Sequence, residues 1–425
     1  MFPKNFLWGA STAAHQVEGG NTNDWTIWEQ ANNQRLAGTA IDRLRRQSGY
    51  GFSDDHINQF REEIKNPTNY LSGVACDHYH RFKEDIELAK SLGHNAHRFS
   101  IEWSRVEPEP GVYDESAIDH YRDVIKELRS RGIEPIVTLW HWTLPVWFSK
   151  IGGFESKDSP AIFSKYVEYV VRRLGKDVKY WITLNEPNVY AGSAYFVGLF
   201  PPEKRSLYIF WKTLRNLIKS HRLSSGVIKH LSPDAQVGMA HHYILFQATR
   251  RDLITSMLIR IADFVWNSYV LNRTMGSCDF LGLNHYFCLR FNLWRQAKIA
   301  APTSDLGWTL LPETIYYSIK SLQKYHKPII ITEHGCADDR DKHRGTFITE
   351  SLQWLEKAIN EGCDVRGYLH WSLLDNFEWD KGFWPRFGLI AVDHKSLRRT
   401  VRLSAYTYLK FIQQHDGYTK TPDRC

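Results

Sequence analysis

Short apolar runs alternate along this chain with longer stretches of helical periodicity. Eight runs stand out, at residues 6–14, 95–103, 134–142, 180–187, 236–242, 280–286, 328–335 and 365–374. Several are apolar on both faces, as in Pro135-Ile136-Val137-Thr138-Leu139, which suits a parallel strand covered on both sides. Between them lie amphipathic stretches. Residues 80–92 place Phe82, Ile86, Leu88, Ala89 and Leu92 on one face, and residues 118–131 repeat the pattern with Ile118, Tyr121, Ile125 and Leu128. Gly93 and Gly132 follow, where helix stops belong. Eight βα units without a linker predict an α/β protein, a single (β/α)8 TIM barrel over residues 1–425 with elaborated βα loops on its catalytic face. A doubly wound open sheet is the second choice, and the lack of a Gly-rich phosphate loop after the first run counts against it. Residues 29–74 interrupt the pattern with a basic, partly helical segment (34–46) and a Gly/Ser turn (48–53). We read them as a long loop inserted after the first strand.

Composition adds little to the fold and something to the chemistry. Hydrophobic residues make up 43% and charged residues 24%, near the soluble globular average, so disorder is not the default. Aromatics are numerous: 16 Trp, 21 Tyr and 22 Phe. They fit either a large core or a site that stacks the flat faces of sugar rings, and composition does not choose. The net charge of +7 is mild, and the dense basic stretches 43–46 and 398–402 sit in no nucleic-acid motif, so they read as solvated faces. Six Cys at 76, 278, 288, 336, 363 and 425 show neither metal spacing nor a dense disulfide pattern. With no apolar segment of signal-peptide length at the start and no run of 18 apolar residues, the expectation is a reduced, soluble, cytoplasmic protein. It would have no membrane or nucleic-acid partner.

Two strand ends carry the candidate chemistry. The fourth run ends Thr183-Leu184-Asn185-Glu186-Pro187 and the seventh ends Ile331-Thr332-Glu333-His334-Gly335. In a β/α barrel both carboxylates would reach one central pocket. Cleaving a glycosidic bond needs such a pair: one acid protonates the leaving oxygen, and one carboxylate attacks or stabilises the oxocarbenium-like carbon. Either Glu alone reads better as a structural carboxylate; the pair shifts the balance towards catalysis. The two-carboxylate route needs no metal. His78 with His80, and His241 with His242, lack metal-site spacing, and no cofactor fingerprint is present.

These motifs resemble glycoside hydrolase family 1, the β-glucosidase family. The likeness starts at Phe6-Leu7-Trp8-Gly9-Ala10-Ser11-Thr12-Ala13-Ala14-His15-Gln16-Val17-Glu18-Gly19. It continues through Asp77-His78-Tyr79-His80-Arg81 and His97-Arg98-Phe99-Ser100-Ile101-Glu102-Trp103, then the two Glu motifs. It closes with Trp371-Ser372-Leu373-Leu374-Asp375-Asn376-Phe377-Glu378-Trp379. The resemblance implies a retaining β-glycosidase with Glu186 as acid/base and Glu333 as nucleophile. It implies that Gln16, His141, Asn185 and Glu378 hydrogen-bond the sugar in the cleavage subsite, that Trp371 floors it, and that Trp379 meets its hydroxyl edge. Arg98, Asn284 and Tyr286 are expected to support the nucleophile. Because Glu378 is present, the expected substrates are unphosphorylated β-glucosides or short β-linked oligosaccharides, with glucose the main glycone and galactosides and fucosides secondary.

His334 stands where the family usually has Asn, and His285 where it often has Tyr; alternation along a strand predicts that both point away from the sugar. Cys336 is expected to be a buried inert thiol. The segments 29–74, 287–308 and 337–347 are expected on the catalytic face, shaping the aglycone side. Two other functions stay open at this point: a transglycosylase on the same scaffold, and a non-catalytic sugar-binding protein. Retention of both Glu186 and Glu333 counts against the second.

Overall fold

The computed structural model describes residues 1–46, 52–249, 252–292, 295–296 and 299–415. Eight parallel strands close into a barrel, one inside each predicted run: β1 Leu7–Ser11, β2 Ala96–Ser100, β3 Glu134–Thr138, β4 Tyr180–Asn185, β5 Gln236–His242, β6 Phe280–Asn284, β7 Ile329–His334 and β8 Val365–Trp371. Each pairs with its sequence neighbour, and β8 returns to β1 with Leu7 opposite Gly367.

The double-sided apolar pattern has a direct cause. Ala96, Ile136, Ile182, Ala240, Phe280, Ile330 and Leu369 pack together as one cluster inside the barrel. Their strand neighbours Val137, Trp181, Met239, Ile331 and Tyr368 belong to the larger cluster shared with the helices. Two residues further up, the inward face turns polar: Arg98 follows Ala96, and Thr138 follows Ile136. Two strands depart from strict alternation. Pairing shifts register between Ile182 and Asn185 on β4, and between Ile331 and Glu333 on β7. Such irregularities re-aim side chains. Here they bring Asn185 and Glu333 to the inner side, where alternation from Ile182 and Ile330 alone would not put them.

The helical stretches form as read, within a few residues at their ends. They include α2 His78–Ser91 and α3 Glu115–Ser130, the latter capped by Asp114, whose carboxylate accepts from the backbone of Ser116 and Ala117. Gly93 and Gly132 follow with φ of 76° and 67°. No helix among the described residues is long and apolar enough to cross a membrane.

The inserted stretch is not a loop. It begins inside α1, Asp24–Arg46, and continues through the short helices Asp54–Gln59 and Arg61–Lys65. The turn read at 48–53 lies, except for its last two residues, outside the described residues. Helix α1 buries Trp25, Trp28, Leu36, Ala37, Ala40 and Leu44. Seven mostly polar residues separate Trp28 from Leu36, which is why the periodicity was hidden. The insertion braces the loop after β8: the Arg43 guanidinium donates to Asp380 Oδ2 at 3.0 Å, and Asn69 exchanges hydrogen bonds with Lys381 O and Phe383 N, both at 2.9 Å.

Candidate active site

The two carboxylates meet in a cavity of about 250 Å³ at the C-terminal ends of the strands. Glu186 directly follows β4 and precedes the helix Pro187–Ala191, with φ 44°. Two further residues lining the cavity, Trp142 and Trp379, also have positive φ, at 75° and 52°. Left-handed backbone is uncommon for residues with a Cβ, and its concentration here marks a site where the fold holds side chains in fixed directions.

Glu333 is held through both oxygens. Arg98 Nη1 donates to Oε1 at 2.5 Å and the Tyr286 hydroxyl donates to Oε2 at 2.6 Å. Arg98 is fully buried and spans four strands: its Nε donates to Thr138 Oγ1 at 3.0 Å and its Nη2 to Asn185 Oδ1 at 2.6 Å. A guanidinium so held is a permanent charge with fixed direction. Burial first, and the neighbouring Glu333 charge second, push the Tyr286 phenol well above its ordinary pKa, so it stays a donor. Glu186 is in the opposite situation. Burial, and after it the charge of Glu333, raise its pKa well above the ordinary carboxylic range. One carboxylate is thus held by two donors, while its neighbour keeps its proton.

Flat rings and unpartnered polar atoms surround the pair. His141 lies between two indoles, nearly parallel to both: Trp371 at 6.0 Å and Trp379 at 5.9 Å. Burial, with Arg98 second, lowers the His141 pKa well below its ordinary value, so the ring is neutral. Its Nε2 accepts from Asn185 Nδ2 at 3.0 Å. His141 Nδ1, Gln16 Oε1 and Glu378 Oε2 are buried and have no hydrogen-bond partner among the described residues. Buried polar atoms are normally satisfied; His141 and Glu378 line the cavity with Gln16 behind them, and a polyhydroxylated ligand would satisfy such orphans.

The family model described as Glycosyl hydrolase family 1 matches residues 1–253 and 271–417. The chain belongs to glycosyl hydrolase family 1. Among relatives within the family are beta-glucosidase A of Thermotoga maritima, 31% identical with 97% of this chain and 98% of the relative covered, and Beta-glucosidase 42 of Arabidopsis thaliana, 30% identical with 97% and 94% covered. Solved family structures superpose closely. A beta-glycosidase from Pyrococcus horikoshii gives a TM-score of 0.83 at 34% identity, covering 98% of each chain. The Thermotoga maritima beta-glucosidase in complex with glucoimidazole gives 0.84 at 28%, covering 98% of this chain and 99% of that one. The chain is accordingly a glycoside hydrolase of the retaining β-glycosidase type.

Of the residues expected in a family 1 site, His141, Glu186, Tyr286, Glu333, Trp371, Glu378 and Trp379 line the cavity. Arg98, Asn185, Asn284 and Gln16 form a layer behind them, and Gln16 Nε2 is spent on Asn376 Oδ1 and Phe377 O, at 2.9 and 2.8 Å. One expectation needs correcting. Asn284 does not support the nucleophile: its amide donates to Glu186 Oε1 at 2.7 Å and to Asn185 Oδ1 at 3.2 Å, while its own carbonyl accepts from Thr332 Oγ1 at 2.6 Å. The cause is geometric, since β6 lies between β5 and β7 and Thr332 turns the amide nitrogen towards β4. A second correction concerns the surrounding segments. Among the described residues, none of 29–74 or 337–347 lines the cavity, and of 287–308 only Phe287 and Trp308, at its ends, do.

His334 and His285 point away from the cavity. His334 Nδ1 meets the Tyr368 hydroxyl at 3.0 Å and its ring stacks on Phe347 at 4.8 Å. His285 contacts Tyr243 O and Thr314 Oγ1. Cys336 is buried, and burial pushes its thiol up to about 12, so it is not a ready nucleophile. Sequence reasoning missed the apolar rim of Val189, Leu199, Phe200, Ile244, Trp266 and Phe387. Only the aromatic richness of the chain hinted at it. Trp266 falls in the stretch 254–270 that the family model leaves unmatched.

Proposed function

We propose that the whole chain acts as one catalytic unit that removes terminal β-D-glucosyl residues from unphosphorylated β-glucosides. Glu333 is the nucleophile and Glu186 the acid/base. Glu333 attacks the anomeric carbon as the glycosidic C–O bond breaks and Glu186 gives its proton to the leaving oxygen. The glycosyl ester consumes the Glu333 charge, which lets Glu186 ionise. Glu186 then takes a proton from water as that water attacks the same carbon, and β configuration is kept. The observation that carries this reading is the asymmetry of the pair: two donors on Glu333, a retained proton on Glu186.

The orphan atoms of Gln16, His141 and Glu378, with Asn185 behind them, are assigned to the sugar hydroxyls. Trp371 and Trp379 are assigned to the sugar's apolar face and edge. The Thermotoga maritima enzyme is known in complex with glucoimidazole and with galacto-hydroximolactam, which supports both glucose and galactose as glycones. Burial pushes Glu378 up to about 8, so it enters the site as a neutral donor at pH 7. A phosphorylated sugar would still set a dianion in the cavity that holds the Glu333 charge, which argues against it. The apolar rim fits an aryl or alkyl aglycone. The five Cys among the described residues are buried free thiols, which fit a reducing, cytoplasmic setting.

The test is proton NMR of aryl β-glucoside cleavage, watching the first anomer of glucose released. β-Glucose ahead of mutarotation is the expected result. α-Glucose first would remove Glu333 from the nucleophile role. No cleavage of glucoside, galactoside or fucoside would return the sugar-binding reading.

A further inference from the structure

One face of the barrel is apolar, exposed and basic, and the catalytic mechanism uses none of it. Helix α6, Leu253–Asp263, buries only Thr255. Leu253 is 89% exposed and Met257 58%; Ile254, Ile261 and Phe264 are exposed beside them. Their spacing puts them on one side of the helix. The face continues beyond α6. A chain of aromatic rings runs from Phe264 through the half-buried Tyr269 and Trp211 and the buried Phe210 to the exposed Phe196, with successive centroids 4.6–6.1 Å apart. Scattered exposed apolar residues are ordinary; a contiguous apolar face of this extent marks an interaction surface.

Charge identifies the partner. Residues 204–275 hold eleven Lys and Arg against three Asp and no Glu; Lys204 and Lys229 pair with Glu155 and Asp279 outside that stretch, and the segment remains strongly basic. Helix α5, Leu207–Leu231, has five Lys and Arg and no acidic residue. Tyr208, Arg215, Lys219 and Arg222 share its exposed stripe, and those three cations make no ion pair among the described residues. The Arg273 guanidinium lies 3.9 Å over the Tyr269 ring, so cation and aromatic surface interleave. The acidic group of α6, Asp263, is spent on Asn267 and Ser268. Large apolar side chains level with unpaired cations are the chemistry of a helix lying in the headgroup layer of an anionic bilayer. A second copy would bring the same charge surplus against itself. The family model breaks off over 254–270, so most of the α6 part of this face lies outside the matched pattern, while α5 lies within it.

We propose that the α5–α6 face docks the enzyme peripherally on an anionic lipid surface. The catalytic mouth then stands beside the bilayer, because Trp266, two residues beyond Phe264, lines the cavity. The sequence expectation of no membrane partner rested on the lack of a spanning run; surface docking needs none.

Flotation of the full chain with vesicles of phosphatidylglycerol and phosphatidylcholine tests this, run beside pure phosphatidylcholine vesicles at about 50 and about 500 mM NaCl. Binding is expected to anionic vesicles only and to weaken at the higher salt. The triple variant Leu253→Ser, Met257→Ser, Ile261→Ser should lower the bound fraction about tenfold or more while leaving turnover of a soluble aryl glucoside unchanged. Arg215→Gln with Lys219→Gln and Arg222→Gln, which leaves the apolar side chains in place, should lower it too. Three results would overturn the proposal: no binding to anionic vesicles at low salt, binding that neither variant weakens, or light scattering that finds a dimer which the triple variant dissociates.

Discussion

Glu186 and Glu333 are the same residue type in one cavity, and their neighbours divide the work between them. Glu333 raises the Glu186 pKa by its charge, second only to burial. Glu333→Gln should therefore do two things. Turnover should fall at least about a thousandfold, because the amide cannot form the glycosyl ester. The Glu186 pKa should fall as well, which a carbon-13 NMR titration of the side-chain carboxyl would read; an unchanged Glu186 titration would mean the two do not share a field. His334 gives the contrasting case. It faces Tyr368 and Phe347, not the cavity. His334→Asn should cost stability on the order of 1 kcal/mol through the lost contact with the Tyr368 hydroxyl, with the pH profile of kcat/KM unmoved. A displaced profile would bring His334 into the chemistry. The motif residues at this scale were legible because hydrolysis demands particular side-chain types. The direction of the Asn284 amide was not, since it is set by Thr332 from the next strand.

At the scale of elements, the strands were readable and the insertion was not, for one physical reason. A strand buried on both faces must be apolar throughout, so 134–139 announces β3 without any knowledge of its neighbours. Helix α1 is held along much of its length by polar contacts to distant residues. Glu29 accepts from Ser72 N and Oγ, both at 2.8 Å, and pairs with His15 at 2.8 Å, while Arg43 reaches Asp380. Tertiary partners of that kind leave no periodicity. The register shifts that turn Asn185 and Glu333 inward are equally silent in sequence, since they depend on the paired strand. These contacts give the insertion a measurable task. Asp380 is buried, and its pairing with Arg43 fixes the loop that presents Glu378 and Trp379. Arg43→Ala should raise KM for an aryl glucoside by about three- to tenfold through a loosened loop, with a smaller loss in kcat. Equal loss in kcat and kcat/KM with KM unmoved, at unchanged thermal stability, would place the effect in the transition state instead.

For the whole molecule, the buried titratable groups set opposite slopes of stability against pH. His94, His97 and His242 are pushed down to about 3, and His221, His241 and His285 to about 4, in each case chiefly by burial. Below about pH 6.5 the unfolded chain protonates these rings and the native chain does not. The unfolded state then binds more protons, so stability falls as pH falls, down to the native values. Burial also raises Asp24 and Asp305 to about 7 and Glu378 to about 8. These acids keep protons in the native state that the unfolded chain has lost above about pH 4, so each removes stability as pH rises through its native value. Between pH 4 and 6.5 the histidines outnumber the acids and the slope is upward; above 6.5 only the acids remain and it turns down. The melting temperature followed by calorimetry from pH 4 to pH 9 should therefore peak near neutrality, about pH 6.5, and decline on both sides. A saturating sugar-like inhibitor should flatten the alkaline decline more than the acid one. It would replace the solvent-poor surroundings of Glu378 with hydroxyl partners, while five of the six histidines lie outside the cavity and only His242 lines it. A decline unaltered by inhibitor would assign the alkaline limb to Asp24 and Asp305, away from the cavity.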